Sequence, residues 1–228
     1  MVARGLEIVP VEGVGEVRPG DDLSRLLAAA VPDLADGDVL VVTQKVVSKA
    51  EAQLVPIDPN DPESKNRIVE GESVRVLRRR GELVISETRH GFVCANAGVD
   101  LSNVGEGDVA TLLPLDPDIS ASRLSDALGA PVIISDSFGR AWRNGIVNVA
   151  IGVAGLEALL DLRGQPDASG RIMQSTVVAV ADELASAADL AGGKTAQRPV
   201  VLIRGYDWRP ARGSGTSLVM EPERDLFP

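Results

Sequence analysis

One cysteine, one histidine and only 3% aromatic residues are found among 228 positions. The single Cys94 excludes an internal disulfide and any cysteine cluster for zinc or iron–sulfur chemistry, and it reads as a small packed residue rather than a nucleophile. With His90 as the sole imidazole, neither a His-rich zinc site nor a separate Ser-His pair can be assembled. So few aromatics leave a core of Val, Leu, Ile and Ala, which suits an α/β protein with aliphatic strands. No segment reaches the roughly 20 apolar residues of a bilayer span, and residues 1–5 carry no apolar leader, so a cytoplasmic protein is expected. Positive charge is also short: the net charge of −10 argues against nucleic acid as a partner. The basic residues Arg75, Arg78, Arg79, Arg80 and Arg89 form a local cluster, suited to solvent or to a small phosphorylated ligand. A Walker loop is missing as well, since Gly192-Gly193-Lys194-Thr195 matches only its tail and Ala188 occupies the place of the first glycine.

What is present is ample apolar material, 44% of the chain, enough for one large domain or two closely packed small ones. Aliphatic runs at 6–11, 39–43, 83–86, 109–113, 132–135, 147–153 and 200–203 predict strands. Helices are predicted at 22–31, 120–128 and 177–190, the last closed by Gly192-Gly193. Three prolines within 56–62 predict an extended connection leading into a basic helix. The stretch 209–215 is rich in Gly, Pro and Arg, so 209–228 reads as a tail or linker that rejoins the surface as a short strand, or as the approach to a further domain.

Polar chemistry concentrates between Glu87 and Asn103, where two acids, Arg89, His90, Cys94, two Asn and two Gly fall within seventeen positions. A packed core penalises so many unpaired polar groups, so a polar ligand is expected there. The run beginning at Val39 turns polar after Thr43, which makes its end a site edge, with Gln44 and Lys49 as candidate contacts to a base, sugar or phosphate. Asp100 after Gly98, and Asp136-Ser137 at the end of another apolar run, offer hard oxygen donors that favour magnesium or manganese. Arg140 and Arg143 flank Ala141-Trp142 and suit a carboxylate or phosphate beside a metal. Gly13-Val14-Gly15-Glu16-Val17 follows the first strand, as a plain turn or as a backbone that a nucleotide approaches closely.

Taken together, Thr43-Gln44-Lys45-Val46-Val47-Ser48-Lys49-Ala50-Glu51, the block from Gly91 to Asn103, and Ser135-Asp136-Ser137-Phe138-Gly139-Arg140 with Trp142-Arg143-Asn144-Gly145 resemble the coenzyme F420-0:γ-glutamyl ligase family over nearly the whole chain. The resemblance implies a mixed α/β fold unlike the common nucleotide-binding folds, in an intertwined homodimer. It implies a ligase that adds L-glutamate to F420-0 with GTP as co-substrate, Mg2+ or Mn2+, and K+. By position, Asp100, Asp136 and Ser137 would hold the divalent metal. Val14, Gly15, Glu16, Val17, Gln44, Lys49 and Asn103 would contact GTP, and Lys49, Arg140 and Arg143 would offset negative charge in the reaction. The segment 193–197 would complete the nucleotide pocket, with Lys194 against phosphate. Ala52 and Lys194 depart from the family's pattern, Ala52 standing where glycine is expected. Residues 1–208 would then be the ligase domain, and in actinobacterial relatives a nitroreductase-like domain follows such a module. A metal-dependent phosphohydrolase and a non-catalytic nucleotide-binding module are the alternatives.

Overall fold

The computed structural model describes residues 5–58, 60–100 and 109–225. In chain order the elements run β1 (Glu7–Pro10), α1 (Leu23–Ala30), β2 (Val39–Thr43), α2 (Gln44–Ala50), β3 (Leu54–Pro56), α3 (Ser64–Gly71), β4 (Ser73–Arg80), β5 (Leu83–Thr88), β6 (Val93–Ala95), β7 (Val109–Thr111), α4 (Pro117–Leu128), β8 (Val132–Arg140), β9 (Arg143–Ala154), β10 (Leu160–Asp161), β11 (Val177–Val178), α5 (Val180–Gly192) and β12 (Val200–Arg204). The main sheet has the order β1-β12-β2-β8-β9, in which only β2 and β8 pair in parallel. The expected mixed α/β class holds, with smaller sheets β4-β5-β6, β3-β7 and β10-β11 beside the main one.

Side chains alternate across the main sheet as the two-residue period of a strand requires. Leu40, Val42, Val132, Ile134, Val200 and Leu202 face one layer with Leu23 and Leu27 of α1 and Ala121 and Leu124 of α4. Val39, Val41, Ile133, Val201 and Ile203 face the other, against Ala181, Leu184, Ala185 and Ala188 of α5. Helix covers both faces, so the strands read as unbroken aliphatic runs. The small residues of α5 let it lie close to the sheet, and its Asp182 accepts a hydrogen bond from Ala150 N at 2.8 Å.

Sequence signals set the helix starts. Asp22 caps α1 by accepting from Arg25 N, and Asp116 caps α4 by accepting from Ile119 N, with Pro117 in the first turn. The second cap starts α4 three residues before the expected position. The 177–190 segment divides instead: Val177–Val178 pairs with β10, and the helix begins at Val180. Strand β2 ends at Thr43, as expected, and the chain turns directly into α2, a helix absent from the expected elements. The proline segment does lead into a helix, α3, but that helix stops at Gly71. Arg75, Arg78, Arg79 and Arg80 lie on strand β4, because register with β5 decides their conformation.

Residues 209–225 pack on the main body rather than leaving it. Pro210 bridges to Leu156, and Trp208 Nε1 donates to Gly37 O at 3.1 Å. Gly215 N donates to the Asp118 carboxylate at 2.6 Å, while Val153 N of β9 donates to the same carboxylate at 2.9 Å. Gly213 and Gly215 pass so close to the carbonyls of Val153 and Ile151 that any Cβ there would collide with backbone. Among the described residues no helix is long and apolar enough to cross a membrane.

Candidate active site

The parallel pair β2/β8 keeps register from Leu40↔Val132 to Thr43↔Ser135, and there β2 ends. Strand β8 runs on to Arg140 paired, among the described residues, with β9 alone, so Asp136 and Ser137 are the first residues to lose a partner on the β2 side. A cleft of about 980 Å³ opens at this point. Crevices outside the carboxyl ends of parallel strands are where α/β sheets take ligands. Its walls are the loop after β1, the start of α2, the end of β8, Asn148 of β9 and the loop between α5 and β12.

The cleft brings together Val14, Gly15, Glu16, Val17, Gln44, Lys49, Asp100, Asp136 and Ser137, residues drawn from four well-separated segments. Asn103 lies outside the described residues. Arg140 and Arg143 are not in the cleft of the single chain: they face each other at the exposed tip of the β8/β9 hairpin, where Arg140 donates to Asn144 O at 3.1 Å. Two arginines three positions apart in the sequence give no hint that the hairpin continues past the sheet and carries them outward.

Gly13 and Gly15 have φ of 84° and 71°, which turns the loop so that its backbone faces the cleft. Lys49 ties that loop to α2 through Glu16 Oε1 at 3.2 Å. Gln44 is 4% exposed, and its Oε1 accepts from Ser48 Oγ at 2.9 Å. Lys45 and Asn148, which carry no expected role, stand here beside Lys194, expected against phosphate. Lys45 Nζ lies 2.5 Å from Asp100 Oδ2. Lys194 Nζ donates to Ser137 Oγ at 2.6 Å and to Asn148 Oδ1 at 2.7 Å. Lys45 lies four residues before Lys49 on a short helix, a spacing that foretells a shared face. Asn148, inside an apolar strand pattern, gave no such signal.

Among the described residues the walls hold four cations, Lys45, Lys49, Lys194 and Arg198, and four carboxylates, Glu16, Asp100, Asp136 and Asp189. The cleft is therefore charge-balanced within a chain of net charge −10. Burial pushes the Asp136 carboxyl up to about 6; the Asp100 charge adds to this, while the Ser137 N–H, Lys194 and Lys45 oppose it. Cys94 packs nearby, its thiol pushed up to about 12 by burial and by the Asp136 charge. His90 is structural: its Nε2 donates to the carbonyls of Pro114 and Leu115 at 3.0 and 3.1 Å, and its ring stacks on Phe92.

No three His, Cys, Asp or Glu side chains converge as a metal cage among the described residues. Two carboxylates with a hydroxyl make an open hard-oxygen set, the kind magnesium or manganese completes with water and phosphate oxygens. Ser135 Oγ, in a residue 1% exposed and on the cleft wall, has no hydrogen-bond partner among the described residues, so the wall also suits a polar ligand.

Comparison with known proteins fits this arrangement. The model of the family described as F420-0:Gamma-glutamyl ligase matches residues 13–205. The chain belongs to that family. It is 42% identical to the coenzyme F420:L-glutamate ligase of Methanothermobacter thermautotrophicus, over 98% of this chain and 99% of the relative. The proteins of the same name from Methanopyrus kandleri and Natronomonas pharaonis are each 40% identical, over 97% and 96% of this chain and 97% and 93% of theirs. The matched span begins at the glycine loop and ends just past β12, so every wall of the cleft falls inside it. As a member of this ligase family, the chain is an enzyme.

Proposed function

We propose that this chain is a GTP- and divalent-metal-dependent ligase that joins L-glutamate to the carboxylate of coenzyme F420-0, in F420 biosynthesis. The observation that carries the reading is the single cleft in which a glycine-loop backbone and Lys49 face Asp100, Asp136 and Ser137. Among the described residues four cations face four carboxylates on the walls, without surplus positive charge for a triphosphate, which favours entry of the nucleotide together with a metal.

Asp100, Asp136 and Ser137 would hold Mg2+ or Mn2+, which when bound supplies charge neutralisation at the phosphates. The loop Gly13 to Val17 would set the nucleotide against backbone N–H groups, and Gln44 would orient it. Lys49 would sit against negative charge gathering on the transferred group. A carboxylate oxygen of F420-0 attacks the γ-phosphorus, the bond to the β-phosphate oxygen breaks, and GDP leaves. The glutamate amine then attacks the acyl carbon, forming the amide, losing a proton and releasing phosphate. Positioning dominates such chemistry, in which the substrate carboxylate is the nucleophile, and Cys94 takes no part, being buried with its thiol pushed up to about 12. The same reading includes a K+ requirement and an intertwined homodimer, in which the hairpin carrying Arg140 and Arg143 would come near a second copy.

The test is incubation of the chain with F420-0, L-glutamate, GTP and Mn2+, following product mass and GDP together. A glutamate-dependent mass gain coupled to GDP is expected. GDP release without glutamylation would turn the reading to a phosphohydrolase, and nucleotide binding without turnover to a binding module.

A further inference from the structure

We propose that Ser137, Asn148 and Asp189 form a cation position of their own, in which Lys194 is a built-in cation. Lys194 Nζ lies 2.6 Å from Ser137 Oγ, 2.7 Å from Asn148 Oδ1 and 2.9 Å from Asp189 Oδ1. An ammonium has three N–H donors, and here three oxygens stand within reach to take them. A hydroxyl, an amide carbonyl and a carboxylate are also what a small divalent cation takes from a protein.

Two of the oxygens, those of Ser137 and Asn148, are tied to each other and to α5 without the lysine. Asn148 is 5% exposed, its backbone carbonyl accepts from Ser186 Oγ of α5 at 2.7 Å, and its Oδ1 accepts from Ser137 Oγ at 2.7 Å. Strands β8 and β9 and helix α5 thus each bring one oxygen to a point that the loop after α5 fills with charge. Because its donors are engaged by protein oxygens, Lys194 serves the cleft through its fixed charge and through the hydroxyl it orients. This differs from the direct phosphate contact expected from sequence. A metal ion placed here would need the lysine to leave, so the residue at 194 limits how many divalent ions the cleft accepts.

The inference shares Ser137 with the metal reading above but is tested apart from it. Equilibrium dialysis against Mn2+ into the millimolar range, on the full chain without nucleotide, counts bound ions for the wild type and for Lys194→Met. The variant is expected to bind one more Mn2+ per chain than the wild type, and Mn2+ is expected to raise its melting temperature by the larger amount. Adding Asp189→Asn to that variant should abolish the extra ion. Lys194→Gln keeps a donor for Ser137 and Asn148, and it is expected to give the same extra ion should the Met variant not fold. Equal counts in wild type and variants, or an extra ion that survives Asp189→Asn, would overturn the inference. A wild type that binds no Mn2+ beside a variant that binds one would leave it standing and remove the reading of Asp100 and Asp136 instead.

Discussion

Asn96, Ala97 and Gly98 have φ of 51°, 53° and 72°, three left-handed residues in succession just before Asp100. Each L-residue held so costs about 1–2 kcal/mol, strain that collects at functional sites. The turn is retained because Ala97 is buried and Asn96 Oδ1 accepts from Val84 N at 3.1 Å. A Cβ on Gly98 would lie 2.7 Å from Leu113 Cγ, so Gly98→Ala should cost about 2–4 kcal/mol in chemical denaturation, whereas Ala97→Gly should leave stability unchanged or raise it. Ala52, at φ 56°, shows why a glycine was expected there, and Ala52→Gly should not destabilise. Asp136 makes a separate prediction. Its native carboxyl titrates near 6 against an ordinary 3.8, so the native state holds its proton longer than the unfolded chain. The metal-free protein should lose stability as pH rises from about 4 through 6, a loss absent in Asp136→Asn, as paired melts across that range would show. The same variant should lower ligase turnover by at least roughly 10²-fold, the order of one lost electrostatic contact. Polar residues between Glu87 and Asn103 announced a site, and Asp100 is in it; the left-handed turn was illegible because Ala97 has no propensity for it and packing alone imposes it.

At the scale of elements, the cleft exists because β2 stops at Thr43 while β8 continues. The aliphatic runs placed both strands correctly in the sequence, but not their unequal ends, since pairing with β9 extends β8 through residues that are individually neutral. That same extension carries Arg140 and Arg143 out of the cleft. Arg140→Ala is therefore expected to leave GDP affinity, measured by calorimetry, within about twofold of wild type. The edge of β9 is closed by Asp118, whose carboxylate accepts from Val153 N at 2.9 Å, Gly215 N at 2.6 Å and Ser214 Oγ at 2.7 Å. Asp118→Ala orphans two backbone donors at once and should cost about 2–4 kcal/mol in the same denaturation assay. Composition at 209–215 reads as a linker that rejoins the surface, because glycine is common in flexible segments; two of its glycines serve close approach to β9.

For the molecule as a whole, a charge of −10 around a cleft balanced among the described residues leads the proposed function to a prediction about the nucleotide's counter-ion. Chelation of divalent ions is expected to weaken GTP binding by at least roughly tenfold, about 1.4 kcal/mol, which fluorescence titration with a labelled nucleotide would read. The homodimer can be checked by light scattering at micromolar concentration, where twice the chain mass of 23.9 kDa is expected. Val74 and Val76, exposed on edge strand β4, supply apolar surface of the kind such an assembly would cover. A last consequence follows from the place of β12 between β1 and β2. Val9 pairs with Leu202, and Leu202 with Leu40, so β1 has no neighbour in the sheet until the chain has been synthesised past residue 204. On the ribosome, the glycine-loop wall that β1 carries must wait for β12 before it gains its strand partner. The glycine-loop wall of the cleft is thus tied through β1 to a strand nearly two hundred residues away, a pairing of high sequence separation that is slow to form.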